Sequence, residues 1–325
     1  MLYRIRCSSL TKKTHLSFHS FNSIFSDCVR YSHIISSSSF LPSHDNSQDS
    51  PVTSQTFNSK KCSFSSGSHA FTTCSWDNNG LTSKGGAIHI AFSDSRPSLT
   101  LTIDKCTFLH CHEPGTVDGG AVHARYIGAA SVSDSFFYDC ACGSNTGHEG
   151  AGICFDAISQ QPSIIRCTFI SCTTADDGGG CGVWFSKADS VYALASCVCI
   201  ECKGTHVDNS QGGGIMIAHN TDPITCTNCL LSACETKCQG GGIWINYPTG
   251  KSIKAMTFCF FHENKSPSGK DICFFEYSRN TQPILYSFSS NRASGRVDGG
   301  PDTWLPRANM NHKVTASYGG RTLTE

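Results

Sequence analysis

The stretch "GGAIHI" at residues 85–90 decides the fold, because it is not alone. The pattern returns as "GGAVHA" at 119, "GAGICF" at 150, "GCGVWF" at 180, "GGGIMI" at 212, "GGGIWI" at 240 and "GKDICF" at 269. Its first glycine is kept in all seven copies: Gly85, Gly119, Gly150, Gly180, Gly212, Gly240 and Gly269. The intervals between copies are 34, 31, 30, 32, 28 and 29 residues. One copy could pass for a phosphate-cradling loop, but a recurring copy with no helical pattern behind it does not. A fixed period of this size marks a repeat architecture, in which each unit buries its apolar face only against its neighbours.

A second motif sits between the glycine copies. It reads "CSWDNN" at 74, "CTFLHC" at 106, "SFFYDC" at 135, "CTFISC" at 167, "CVCIEC" at 197, "CLLSAC" at 229, "CFFHEN" at 259 and "YSFSSN" at 286. Its third position is mostly aromatic or aliphatic. Its sixth is always Cys or Asn: Asn79, Cys111, Cys140, Cys172, Cys202, Cys234, Asn264 and Asn291. Residues 70–295 therefore read as about eight units of roughly 30 residues each.

Apolar residues alternate in the glycine motif, as in Ile88/Ile90, Val183/Phe185 and Ile243/Ile245. A period of two is a strand with one face on a core. A weaker apolar patch such as "LTLTI" at 99–103 adds another short strand, and no segment carries a sustained helical stripe. Short strands bent by glycine and polar turns make one coil of a right-handed parallel β-helix, a pectin-lyase-like all-β solenoid. A β-propeller is the rival, but its blades need about 40–45 residues. The repeated glycine fits a corner with positive φ. The Cys/Asn position fits an internal ladder, with Asn bonding backbone groups and Cys packing as a small buried residue.

The array leaves three segments: residues 1–60 as a poorly defined N-terminal segment, either a degenerate coil around "SIFSDC" at 23–28 or a cap; 61–295 as the β-helix; and 296–325 as a tail or cap. The basic, Ser-rich start lacks the 7–15-residue apolar core of a signal peptide and could act as a transit peptide. The longest near-apolar run, Ala255 to Phe261, is far short of a membrane span. The chain reads as soluble. Charged residues make up 15% and the net charge is zero, so nothing resembles a nucleic-acid footprint.

Twenty-one cysteines need an explanation, and the repeat supplies one for eleven of them. Cys74, Cys106, Cys167, Cys197, Cys229 and Cys259 form one column, and five more fill the Cys/Asn column. Parallel Cβ vectors in a column suit disulfide geometry poorly, so stacked thiols are the favoured reading and some disulfides the second. "CTNCLLSACETKC", with Cys226, Cys229, Cys234 and Cys238, and "CVCIEC", with Cys197, Cys199 and Cys202, are the zinc-like alternative. No metal and no cofactor is expected.

Tandem "GGA[ILV]" and "FxxN" motifs resemble the repeats of chlamydial polymorphic outer-membrane proteins and of β-helix surface-protein families in protists. "GGAI" at 85–88, "GGAV" at 119–122, "FHEN" at 261–264 and "FSSN" at 288–291 carry the resemblance, with "WDNN" at 76–79 close. It implies a right-handed parallel β-helix, display or adhesion, and a cell-surface or extracellular setting. The other copies replace Asn by Cys, and neither a signal peptide nor a translocator barrel is legible in the chain.

Two function classes follow. Enzymes on this fold need acids, alone or with Arg/Lys, at matched positions of adjacent coils. Asp118 and Glu149 precede the glycine corner, with Asp176 and Asp177 nearby and His110, His112 and Glu113 on a following loop. The rest of that column is not acidic, so no catalytic residue is assigned and a polysaccharide lyase or glycoside hydrolase is the alternative. A binding surface has more support. The outward column His89, His123, Cys154, Trp184, Met216, Trp244 and Cys273 holds aromatic and sulfur side chains unusual for a solvated sheet. Of these, His89, His123, Trp184, Met216 and Trp244 are the candidate binding residues for a glycan or protein, unless another part of the chain covers them. The only sequon, Asn264-Lys265-Ser266, falls on a ladder asparagine expected to be buried.

Overall fold

The computed structural model describes residues 51–324 apart from 59–61, 65–66, 78–85, 114–118, 144–149, 161, 176–177, 187–191, 208–209, 219–223, 248–253, 277–284, 290–291, 294–302, 305–312 and 319–320. Every regular element among the described residues is a β-strand. One coil shows the pattern. Ile153–Asp156 follows the glycine corner, then come Ser163–Ile165, Thr168–Ile170 and Thr173–Thr174. Each strand pairs in parallel with its equivalent one period away: Ile153 with Val122 and Val183, Ile164 with Val132 and Leu194, Phe169 with Phe137 and Cys199. The chain is therefore a parallel β-solenoid.

Three sheets line the coil. The largest has 18 strands and carries the glycine strands and the strip after them. Ile88–Asp104 and Val122–Ser133 run through both strips unbroken, which fuses them into one sheet. The aromatic face has nine strands and the shortest face four. On the short face the rungs run His112, Ala141, Thr173, Lys203, Glu235 and Lys265, the last two joined by single bridges. Among the described residues those six rungs bound five turns closed on all three sides, against the eight units counted in sequence. Strand pairing also extends past the 61–295 array. Val52–Thr53 and Thr56–Asn58 stack on the N-terminal side. Thr303–Trp304 and Lys313–Tyr318 stack on the other, and Arg321–Thr324 ends the sheet in an antiparallel turn-back. A reversed last strand occupies an edge that would otherwise pair with another chain.

Like residues stack inside. Ile88, Val122, Ile153, Val183, Ile215, Ile243 and Ile272 form a buried aliphatic ladder on the glycine strands. On the aromatic face Phe57, Trp76, Phe108, Phe137 and Phe169 stack with centroids 4.7, 4.8, 4.6 and 4.7 Å apart and planes within 15°. That spacing is the strand repeat itself, so parallel pairing imposes the offset stack. Cys199, Leu231 and Phe261 continue the row. No disulfide joins the described cysteines. Several donate weakly to carbonyl oxygens, as Cys197 does to Ile164 at 3.3 Å and Cys234 to Cys199 at 3.5 Å. Asn264 does more. Its Oδ1 accepts from Cys234 N at 3.0 Å, and its Nδ2 donates to Leu231 O at 3.1 Å and Asp271 Oδ1 at 3.0 Å.

The corners explain the glycines. Gly119, Gly150, Gly180, Gly212, Gly240 and Gly269 all have φ between 58 and 78°. A Cβ on any of them would strike the carbonyl oxygen three residues on, and at Gly119 or Gly240 also the side chain of His123 or Trp244. Gly85, Asn79 and Asn291 lie outside the described residues. The other two corners of each coil use the same left-handed backbone without glycine. Residues preceding the first cysteine column (Thr73, Lys105, Asp134, Arg166, Ser196, Asn228, Phe258) and the second (His110, Asp139, Ser171, Glu201, Ala233, Glu263) have φ of 49–55°. Nothing in their chemistry announces this. Inter-coil bonds hold them, such as Asn228 N to Thr257 O at 3.0 Å.

Candidate functional site

Alternation on the glycine strands sends one residue inward and the next outward, so outward residues form columns. The first column is in register throughout: His89, His123, Cys154, Trp184, Met216, Trp244, Cys273. All of its side chains but His89 are buried, with Trp184 at 6%, Met216 at 7% and Trp244 at 3% exposure. Cys154, Trp184, Met216, Ala218, Trp244 and Cys273 form an apolar cluster of their own, separate from the interior core. The column is thus a second core on the outside of the sheet, in place of an open aromatic shelf. Trp244 donates from Nε1 to Gln239 Oε1 at 3.1 Å, and Met216 lies against Gly179 and Gly180.

At the other end the column turns polar. His123 and His89 bring their Nδ1 atoms to 3.3 Å with rings edge to face, and His89 stays partly exposed. The second outward column, two residues further along each strand, reads Ala91, Arg125, Asp156, Ser186, Ala218. Arg125 Nε reaches Asp156 Oδ2 at 3.0 Å across adjacent coils, and its guanidinium sits over the Tyr126 ring at 4.8 Å. The Asp156 carboxylate is 7% exposed and the Arg125 side chain 39%. This is an acid-plus-arginine pairing on neighbouring coils, at positions other than the acids before the glycine corner.

The buried polar atoms on this patch that lack a hydrogen-bond partner include Asp156 Oδ1, Ser186 Oγ and Trp184 Nε1. Asp156 and Ser186 are register neighbours, and Trp184 lies two residues before Ser186 on the same outward face. Leaving each atom unmade costs about 1–3 kcal/mol. One acceptor, one donor and one hydroxyl that can do either thus lie closed to solvent on this face, beside a partly exposed guanidinium. Such a set matches a ligand that both donates and accepts, as a sugar hydroxyl does.

Of the other candidates, His110 holds Asp77 Oδ1 at 3.1 Å in a left-handed corner, and His112 is exposed on the short face. Glu113 pairs through its backbone with Cys142 on that face, away from the patch. Asp118, Glu149, Asp176 and Asp177 lie outside the described residues. Arg125, Asp156 and Ser186 were missed in the sequence because the outward column was read at one position per strand. Counting two residues further, six after each corner glycine, finds all three.

A stack of parallel three-sided coils with glycine corners defines a β-helix protein. The family described as "right handed beta helix region" matches residues 62–247, and the chain belongs to that family. No curated protein and no solved structure matches it. Among the described residues no helix is long and apolar enough to cross a membrane.

Proposed function

We propose that this β-helix is a non-catalytic binding protein whose outward glycine face takes a carbohydrate. The observation that carries the reading is the unpartnered trio Asp156 Oδ1, Ser186 Oγ and Trp184 Nε1 beside the Arg125 guanidinium. Sugar hydroxyls would donate to Asp156, accept from Trp184 and do either with Ser186, with Trp184 offering its ring edge. His89, His123, Met216 and Trp244 would border the patch. Surface display and adhesion, implied by the resemblance to polymorphic outer-membrane repeats, fit such a role. A glycan array tests it. Wild type should bind a defined subset of glycans and Asp156→Ala should lose them; no binding, or equal binding by both, would remove the proposal.

The Arg125–Asp156 pair favours a second reading, a polysaccharide lyase or hydrolase. Hydrolysis by two carboxylates needs a second acid, and the described part of the patch holds one. Polygalacturonate with Ca²⁺ separates the readings, since unsaturated product would establish the enzyme and overturn the binder.

A further inference from the structure

One interior column breaks its own rule. Ile103, Val132, Ile164, Leu194, Cys226 and Met256 stack in register, and all but Cys226 are aliphatic or thioether. Beside it runs the first cysteine column, one thiol on each coil except that of Ser135. At Cys226 a sulfur from the neighbouring column joins it. The Sγ atoms of Cys226, Cys229 and Cys259 lie within 4.8 Å of one another, Cys226 and Cys259 at 3.6 Å, and all three residues are buried.

We propose that Cys226, Cys229 and Cys259 form a buried site for a soft monovalent d10 cation, Cu(I). Three sulfurs at about 2.3 Å from one ion sit about 4 Å apart, inside the observed range. The side-chain donors beside the trio are sulfur, while Cys229 Sγ also donates to Thr227 O at 3.4 Å and Cys259 Sγ to Cys226 O at 3.5 Å. Cys197 hydrogen-bonds Cys229 from the preceding coil, and Met256 is the register neighbour of Cys226. Thiolate and thioether donors without nitrogen or oxygen select Cu(I) over harder ions. Zinc in a structural site asks for four tetrahedral ligands, and the trio supplies three. Binding exchanges thiol protons for the ion, so uptake weakens as pH falls. Because Cys226 and Cys229 belong to one coil and Cys259 to the next, the ion would clamp two turns together.

The test uses the full chain, reduced and loaded with Cu(I) in the presence of a competing chelator. Wild type should retain one Cu(I) per chain and melt higher with it. Cys226→Leu restores the residue type of the coil before, where Leu194 stands, and should fold and lose the ion. Cys172→Ser, in the other cysteine column, should keep it. Anomalous diffraction at the copper edge on the loaded wild type needs no variant and should place the ion between the three sulfurs. No retained copper, copper located elsewhere, or full retention by folded Cys226→Leu would each overturn the site.

Discussion

Phe137→Ala tests whether the aromatic row is what holds the coils in register. Phe137 is fully buried, stacked on Phe108 at 4.6 Å and on Phe169 at 4.7 Å. Truncating a buried Phe costs about 3–5 kcal/mol, less where the surroundings collapse into the gap. Collapse is blocked here. The strand Phe136–Tyr138 is pinned by backbone pairing to Thr107–Leu109 on one side and Thr168–Ile170 on the other. The loss should therefore fall toward the upper end, about 4 kcal/mol. A solenoid opens coil by coil, so native-state hydrogen exchange is the assay. Amides of the two flanking strands should exchange roughly 1000-fold faster, since each tenfold corresponds to about 1.4 kcal/mol. Phe136→Ala, half-buried on the outer face of the same strand, is the control and should cost under about 1 kcal/mol. Equal effects for the two variants would refute the stacking argument, and Phe137→Leu should lie between them because Leu231 already fills the equivalent position.

Other consequences are separately measurable. Gly212→Ala places a Cβ against the Ile215 carbonyl at φ 62° and should destabilise by more than the ~1–2 kcal/mol of left-handed strain, read as a fall in melting temperature. Phe258→Gly should do the opposite, adding about 1 kcal/mol, since Phe258 is 61% exposed in a left-handed corner. Asn264→Ala orphans buried partners on two coils and should cost about 2–4 kcal/mol in a denaturant titration. Arg166 holds Asp134 through two 2.6 Å bonds and lowers its ionisation. A depressed carboxylate stabilises above its unfolded value and loses that contribution as pH falls through its folded one. Arg166→Ala should therefore flatten the acid limb of the stability profile, by no more than about 1 kcal/mol because the pair is largely exposed.

Much of the fold was legible because its parts repeat. Gly119 through Gly269, the Ile/Val ladder and the Cys/Asn column announce the period, and the period fixes the register of every strand. The corners at Ala233 and Phe258 were not legible, since their left-handed backbone is imposed by bonds between coils and not by residue type. The outward column was read correctly in direction and register. Whether it lay open or covered stayed between two readings, because a strand pattern says which way Trp184 points and nothing about what lies over it. Arg125 and Asp156 needed one more alternate position, and Cys226 needed the neighbouring column to be known first.

The proposed binding role rests on three polar atoms, and calorimetry with the strongest array glycan addresses them directly. Asp156→Asn removes the charge and Trp184→Phe removes only the Nε1 donor while keeping a ring. Each should weaken binding at least about 10-fold with the circular dichroism spectrum unchanged, as a lost bond to a buried polar group predicts. Wild-type affinity in both folded variants would contradict the site.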